Sequence, residues 1–594
     1  MSWPYHFVDL TDAQKEERRF LLDRYGTYAH LSAFIPVIIY NIYRLATWVY
    51  SQRQRSNEAY SAVPSSPTLK KRRTTWRAAW GRKWRNTLWW LQGEVGRGWG
   101  ERGHWIGAGL WASWLGYLCV HKTGDDYLHV TKRFGIIAAS QFPLHYALSL
   151  KSLYSPLAIL CGASHEQLNT WHRILGRIIW TLLLLHATFY LNFFVLAGVL
   201  SKRLASPVVI YGIASFQLIN ILIITSLAAV RRWSYRVFFV THLFVLLTVI
   251  PLLFFHAPPI RLYMIEALAL FIVDLVIRKL NTITTFTTIS AIPETSLLKL
   301  TLPIPASKTS QFQTAPGQHV YLSIPSTSIP TTSKTSPYLH EFLFNPFTIS
   351  SVSPSPSPHI TLTLRTLAGP TTSALLSLSR LTKARPPLNI EGPYGTSRRF
   401  PNFAEQFDRV LLIAGGVGAT FILPIYRATK EAMENEENGK GPRNVRMIWS
   451  MRDVAEASWA LSMASTTSDD NGEEEASSSA EDSDDEEGKE NVNSEDEDIE
   501  LFITKSTHAE RERTAPESSQ VELQTLHSVP RTKRTYARPE LQKIVDEIFA
   551  HGVEEKVAVL VCGPNGMGPS VREYVGKWVE KGRHVWWHDE SFGW

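Results

Sequence analysis

Apolar residues crowd the first half of the chain, in seven runs at about 30–50, 104–121, 135–160, 172–200, 209–230, 237–257 and 259–277. Each is long enough for a helix to cross the roughly 30 Å hydrocarbon core of a bilayer. From about Asn281 the pattern changes to short alternating stretches, TTFTTIS, LLKLTLPI and HVYLSIP, punctuated by Pro, Ser and Gly. That pattern predicts an antiparallel barrel or sandwich over 281–400. VLLIAGGVGATFILPIYRATKEA reads as a buried strand, a glycine turn and a helix, the phosphate-binding unit of a nucleotide fold, and NVRMIWSMRD as a second strand. This α/β domain covers 408–594. Its Ser/Asp/Glu tract at 464–500 has almost no apolar content and is expected to be disordered, with the polar stretch to about Arg534 continuing it.

Charge gives this outline an orientation. The connection 51–103 holds Lys70 to Arg73, Arg77, Arg82, Lys83 and Arg85, and so is expected in the cytosol. Residues 1–29 then lie outside, 30–278 form a membrane domain of seven helices, and the second half is cytosolic. Alternation also puts Arg231, Arg232, Arg236, Arg278 and Lys279 inside as the rule requires, and Lys122, Lys132, Arg133, Lys202 and Arg203 outside against it. The net charge of +7 thus reflects topology signals rather than a nucleic-acid partner. Three cysteines (Cys119, Cys161, Cys562) are too few for a disulfide framework or a zinc site. The first residues lack the basic-then-apolar pattern of a cleaved signal peptide.

Two of the apolar runs carry the candidate chemistry. His172 and His186 stand fourteen residues apart in one, and His242 and His256 fourteen apart in another. Fourteen residues nearly complete four helical turns, so both histidines of a run share a face and lie about 21 Å apart along the axis. In two parallel helices His172 faces His242 on the inner side and His186 faces His256 on the outer side. Each pair is able to hold a haem iron from both axial positions. Four ordinary membrane histidines are the plainer reading, but ionisable groups in membrane helices are rare and usually functional. His145 has no partner at this spacing, His165 sits in a polar connection facing solvent or a haem edge, and His121 and His129 flank an outer loop.

From about Trp105 to Trp594, apart from the acidic tract, the chain resembles the fungal ferric reductases, relatives of the NADPH oxidases. HRILGR (172–177) and SYRVFFVTH (234–242) resemble the family's two haem helices, with Arg236 where a Glu is common. In that reading Gly176 lets the macrocycle approach, and Arg173 and Arg177 pair with its propionates or anchor the helix. NPFTIS resembles the flavin motif written HPFT, placing Asn345, Pro346, Phe347, Thr348 and Ser350 at the flavin, Asn345 replacing the His. AGPTT resembles the pyrophosphate loop through Gly369 and Thr371, with Thr372 where an Arg often stands; EGPYG adds Gly392 and Gly395. Gly415, Gly416, Gly418 and Thr420 form the dinucleotide turn. CGPNGM brings Cys562, Gly563 and Pro564 near the nicotinamide, Cys562 being otherwise a small core residue. The terminal ESFGW places Trp594 over the flavin with Phe592 behind it. Ser450 and Arg452 suit the 2′-phosphate of NADPH, with Asp453 next in line.

The resemblance implies a ferredoxin-reductase-like FAD β-barrel and an α/β NADP-binding domain beside a two-haem membrane core. FAD, two b-type haems and NADPH are the implied cofactors, and NADPH-dependent ferric-chelate reductase the implied activity. On that resemblance, electrons are expected to pass from cytosolic NADPH to extracellular ferric or cupric complexes across the plasma membrane. A superoxide-producing oxidase on the same scaffold is the nearest alternative. A non-catalytic channel or receptor with a degenerate reductase module is the second.

Overall fold

The computed structural model describes residues 4–58, 76–96, 99–152, 154–329, 343–354, 357–367, 369–381, 385–434, 444–461, 499–504, 533–552 and 554–590. They fall into two compact units divided at Asn281.

The first unit is helical: α1 (Asp12–Ser32), α2 (Phe34–Glu58), α3 (Trp76–Leu91), α4 (Arg102–Val120), α5 (Tyr127–Ser140), α6 (Phe142–Ala147), α7 (Pro156–Cys161), α8 (His165–Leu196), α9 (Leu200–Leu204), α10 (Pro207–Thr225), α11 (Ala228–Trp233), α12 (Tyr235–His256) and α13 (Arg261–Asn281). Among the described residues four stretches are long and apolar enough to cross a membrane: 12–49, α8, α10 and α12. The runs expected at 104–121 and 259–277 form α4 and α13. Ser164 opens α8 in a reciprocal capping box with Gln167, and Ser234 caps α12. Leu168, Leu175, Ile179 and Leu182 recur at helical spacing on α8 and join Val245, Val249 and Leu253 of α12 in the core.

Two expectations are corrected here. The helical domain does not begin at 30, because α1 already runs over Asp12–Ser32. Thr11 caps α1, which packs along α5, burying Tyr25, Gly26 and Ala29 and pairing Arg18 with Asp126 at 2.9 Å. The many charges of α1 hide this buried stripe from a hydropathy reading. The run 135–160 is not one helix either. It is divided among α5, α6 and α7, with Pro143 opening α6 and Pro156 opening α7, positions where a missing N–H costs nothing.

The second unit begins with β1 (Ile283–Phe286), β2 (Thr288–Ala291), β3 (Leu297–Pro303), α14 (Ala306–Phe312), β4 (His319–Ser323), β5 (Asn345–Ser353), β6 (His359–Arg365), α15 (Pro370–Ser379) and β7 (Pro387–Tyr394). These seven strands make one antiparallel sheet in the order β1-β7-β4-β5-β6-β3-β2. The Thr285 hydroxyl of β1 donates to the Pro303 carbonyl of β3 at 2.7 Å, nearly closing the sheet into a barrel. Alternate residues fill it, Leu298, Leu300 and Leu302 from β3 meeting Ile360, Leu362 and Leu364 from β6.

The chain continues through α16 (Phe403–Gln406), β8 (Arg409–Gly415), α17 (Ala419–Glu434), β9 (Asn444–Met451), α18 (Ser458–Leu461), β10 (Ile499–Ile503), β11 (Lys533–Thr535), α19 (Leu541–Phe549), β12 (Lys556–Cys562), α20 (Met567–Glu580) and β13 (His584–Glu590). The sheet is parallel, in the order β11-β10-β9-β8-β12-β13. One boundary moves: the insert expected over 464–534 contains two strands. Ile499–Ile503 buries Leu501 and Ile503 against β9, and Glu500 holds Arg446 at 2.6 Å, so the sheet reclaims the chain at 499. Residues 462–498, including Ser483, Asp484, Asp485 and Glu486, lie outside the described residues.

Candidate functional site

α8 and α12 bring the four predicted histidines together in two pairs. The His172 and His242 ring centroids lie 6.2 Å apart, and those of His186 and His256 lie 6.5 Å apart. Two imidazoles bound to one metal through bonds of about 2 Å have centroids about 6.3 Å apart. Among the described residues no cluster of three or more His, Cys, Asp or Glu is placed to hold a metal ion. Each pair supplies two nitrogens, the number a haem leaves vacant.

Backbone carbonyls fix the tautomers. His186 Nδ1 donates to the Thr131 carbonyl at 2.8 Å, His256 Nδ1 to Val208 at 2.7 Å, and His172 Nδ1 to His145 at 2.9 Å. A carbonyl only accepts, so the proton sits on Nδ1 and the Nε2 lone pair is left for a metal. His242 Nδ1 is buried with no partner among the described residues. The outer rings lie over bare backbone: a Cβ at Gly135 would come within 2.6 Å of His186, and one at Gly212 within 2.6 Å of His256. Donor set, spacing and clearance fit two haems.

Several neighbours differ from expectation. His145 packs against the inner pair, its ring stacked on His172 at 3.9 Å and its backbone carbonyl accepting the His172 hydrogen bond. Gly176, expected to clear space for the macrocycle, faces His145 Nε2 instead. Arg173 and Arg177 are exposed, Arg173 donating to the Thr170 hydroxyl at 3.2 Å. His165 bonds the Leu150 carbonyl, His121 the Tyr25 hydroxyl and His129 the Arg133 guanidinium; none joins either pair.

In the second unit, β5 starts at Asn345, whose carboxamide donates to the Thr371 hydroxyl at 2.5 Å. That bond joins NPFTIS to the first turn of α15, where Gly369 is the N-cap. Pro346 and Phe347 are half-buried, and Thr348 and Ser350 are buried, Ser350 bonding Thr363. β4 separates this strand from β7, where Gly392 and Gly395 end the strand at φ +146° and +122° against His319. Asn345 thus spends its amide on organising the loop.

The nucleotide motifs meet at the carboxyl ends of β8 and β12, neighbours at which the strand order reverses. Open α/β sheets bind ligands at such switch points. Gly415 lies against Gly563 and Pro564, and Gly418 against the Cys562 backbone carbonyl, leaving no room for side chains. Thr420 turns its hydroxyl back onto the Val417 carbonyl at 2.9 Å, a local cap. Ser450 lies opposite Gly415 on β9, and Arg452 is exposed one residue beyond that strand. Asp453 caps the turn 454–457 through the Ala455 N–H. Burial, then the charges of Glu590 and Asp589, push the Cys562 thiol well above its ordinary range, so it stays protonated. Phe592 and Trp594 lie outside the described residues.

Sequence reading missed Arg365. From the end of β6 it reaches the glycine turn: a Cβ on Gly416, at φ +54°, would sit 3.3 Å from its guanidinium. Arg365 pairs with Glu456 at 3.1 Å, while its Nε and the second Glu456 oxygen are buried without partners among the described residues. Thr131, Val208, Gly135 and Gly212 were missed as well. The two glycines, set in bulky apolar runs, were the signal available.

Family models fall on this architecture in order. "Ferric reductase like transmembrane component" matches residues 134–253, "FAD-binding domain" 281–398 and "Ferric reductase NAD binding domain" 407–576. A ferric-reductase-like membrane segment followed by FAD-binding and NAD-binding segments is the domain series of ferric reductases, which this chain resembles along its length. Relatives include "Probable metalloreductase AIM14" of Meyerozyma guilliermondii, 25% identical over 58% of this chain and 63% of that protein. "Probable cell surface ferric reductase kap2" of Aspergillus oryzae is 26% identical over 55% and 44%. "Ferric/cupric reductase transmembrane component 2" of Schizosaccharomyces pombe is 23% identical over 78% and 80%. Against the first two curated relatives, the chain spans 61–63% of their length.

Proposed function

We propose that this protein oxidises cytosolic NADPH and reduces ferric or cupric complexes outside the plasma membrane. The observation that carries the reading is the pair of opposed imidazoles at each end of a fourteen-residue step on α8 and α12. When bound, FAD accepts a hydride and releases single electrons, and two b-type haems carry such electrons between their edges. His172 and His242 hold the inner haem, and His186 and His256 the outer. A haem held by two imidazoles would supply electron transfer rather than oxygen activation. Asn345, Thr371 and the first turn of α15 shape the flavin phosphate loop. Gly416 and Gly418 would bring backbone to the NADPH pyrophosphate, with Arg365 beside the same turn. The buried Cys562 thiol, kept protonated, would stand behind the nicotinamide end. NADPH-driven ferric-chelate reduction and superoxide output, measured in the same membranes, test this: superoxide as the main product would overturn it.

Two outcomes follow from the nucleotide domain. Arg452, exposed beyond β9, is the 2′-phosphate contact. A charge-assisted bond worth about 1.5–3 kcal/mol corresponds to roughly ten- to a hundredfold in affinity. Arg452→Ala is expected to raise KM for NADPH by that factor and to leave KM for NADH nearly unchanged. Equal rises for both would place the phosphate elsewhere. The acidic tract is a dispensable insertion, its like charges repelling one another without apolar anchors. Deleting 464–497 spares Glu500 and should preserve FAD content and turnover; released FAD in the deleted protein would count against it.

A further inference from the structure

We infer that α3 (Trp76–Leu91) lies flat on a membrane surface and binds the phosphate headgroups of anionic phospholipids. Its sixteen residues contain Arg77, Arg82, Lys83 and Arg85, five tryptophans, and no acid. At about 24 Å it is too short to cross a bilayer, and its four cations oppose insertion. Trp80, Trp84 and Leu88, at successive intervals of four, are 65%, 45% and 36% exposed. They form one apolar stripe along the helix. Beside that stripe, Lys83, Asn86, Thr87 and Trp90 line a shallow cleft. Its ammonium, carboxamide and indole N–H are donors suited to a phosphate oxygen, while the Thr87 hydroxyl donates to the Lys83 carbonyl at 2.9 Å.

The helix is hooked at the depth where α4 begins. Arg102, at the start of α4, donates to the Trp90 carbonyl at 3.0 Å and lies over the Trp90 ring at 5.2 Å. Trp105 donates its indole N–H to the Trp99 carbonyl at 2.9 Å, and Trp90, Trp99 and Trp105 are all largely exposed. Tryptophans gathered at one level mark a membrane–water interface. The occupant is fixed by charge complementarity: a cationic helix with an exposed indole stripe partitions onto a negatively charged leaflet.

The test uses the full chain in lipid nanodiscs, with Ala79→Cys carrying an environment-sensitive fluorophore and unmutated protein as the labelling blank. In discs with ~30% phosphatidylserine, doxyl-labelled lipid should quench the probe several-fold more than in discs of phosphatidylcholine alone. High salt and Lys83→Glu should each shrink the difference, while the haem spectrum stays unchanged to report an intact fold. Inorganic phosphate should leave it untouched. Equal quenching in both lipids overturns the headgroup assignment. A probe unquenched in either overturns the surface placement, whether α3 then faces water or another protein.

Discussion

His186→Ala or His256→Ala is expected to halve the haem content and to lower external ferric-chelate reduction at least ~100-fold, while NADPH still bleaches the flavin. Each substitution removes one of two opposed nitrogens at the outer site, and the remaining ring keeps its own carbonyl, Val208 or Thr131. Neither variant touches the second unit, which contains the FAD-binding and NAD-binding matches, so flavin reduction is the internal control. Pyridine haemochrome counting and chelate reduction in sealed vesicles check it. Wild-type reduction by inserted His256→Ala protein would end the assignment.

Gly418→Val should be the most damaging single change in the second unit. A Cβ at Gly418 overlaps the Cys562 backbone carbonyl. Overpacking against side chains costs about 1–3 kcal/mol, but backbone has no alternative rotamer to relieve the overlap. β8 and β12 must then part at their carboxyl ends, where the dinucleotide is expected. NADPH-driven reduction should fall at least ~100-fold, with a lowered melting temperature, while dithionite still reduces both haems. Gly416→Ala should cost only about 1 kcal/mol, because its φ is left-handed but the nearest contact is the end of a side chain. Unchanged NADPH affinity in Gly418→Val would mean that these strand ends do not form the nucleotide site.

The parts of this molecule that were legible in the sequence are those carried by side-chain identity or period. The i, i+14 histidines meet as their spacing required, because a long helix preserves angular register. The glycine turn and CGPNG meet because β8 and β12 are continuous apolar runs that pair in parallel. What escaped was carried by backbone or by distant partners. Thr131, Val208 and His145 act through carbonyl oxygens, which every residue has, so no letter announces them. His145 was passed over for lacking an i+14 partner, yet its place is set by its contact with His172. The charges of α1 concealed the stripe through Tyr25 and Ala29. Arg365 lies on one domain's strand and acts at another's turn, a juxtaposition no local pattern encodes.

The carbonyl tethers have a consequence for how the protein is made. Thr131 belongs to α5, His186 to α8, Val208 to α10 and His256 to α12, so one outer site needs four helices in place at once. No single helix, inserted alone, can orient its imidazole. If these pairs hold haem as proposed, its capture would be a late event in biogenesis that certifies the finished bundle. The ratio of haem to polypeptide in a membrane preparation would then count correctly assembled molecules, whatever their catalytic state.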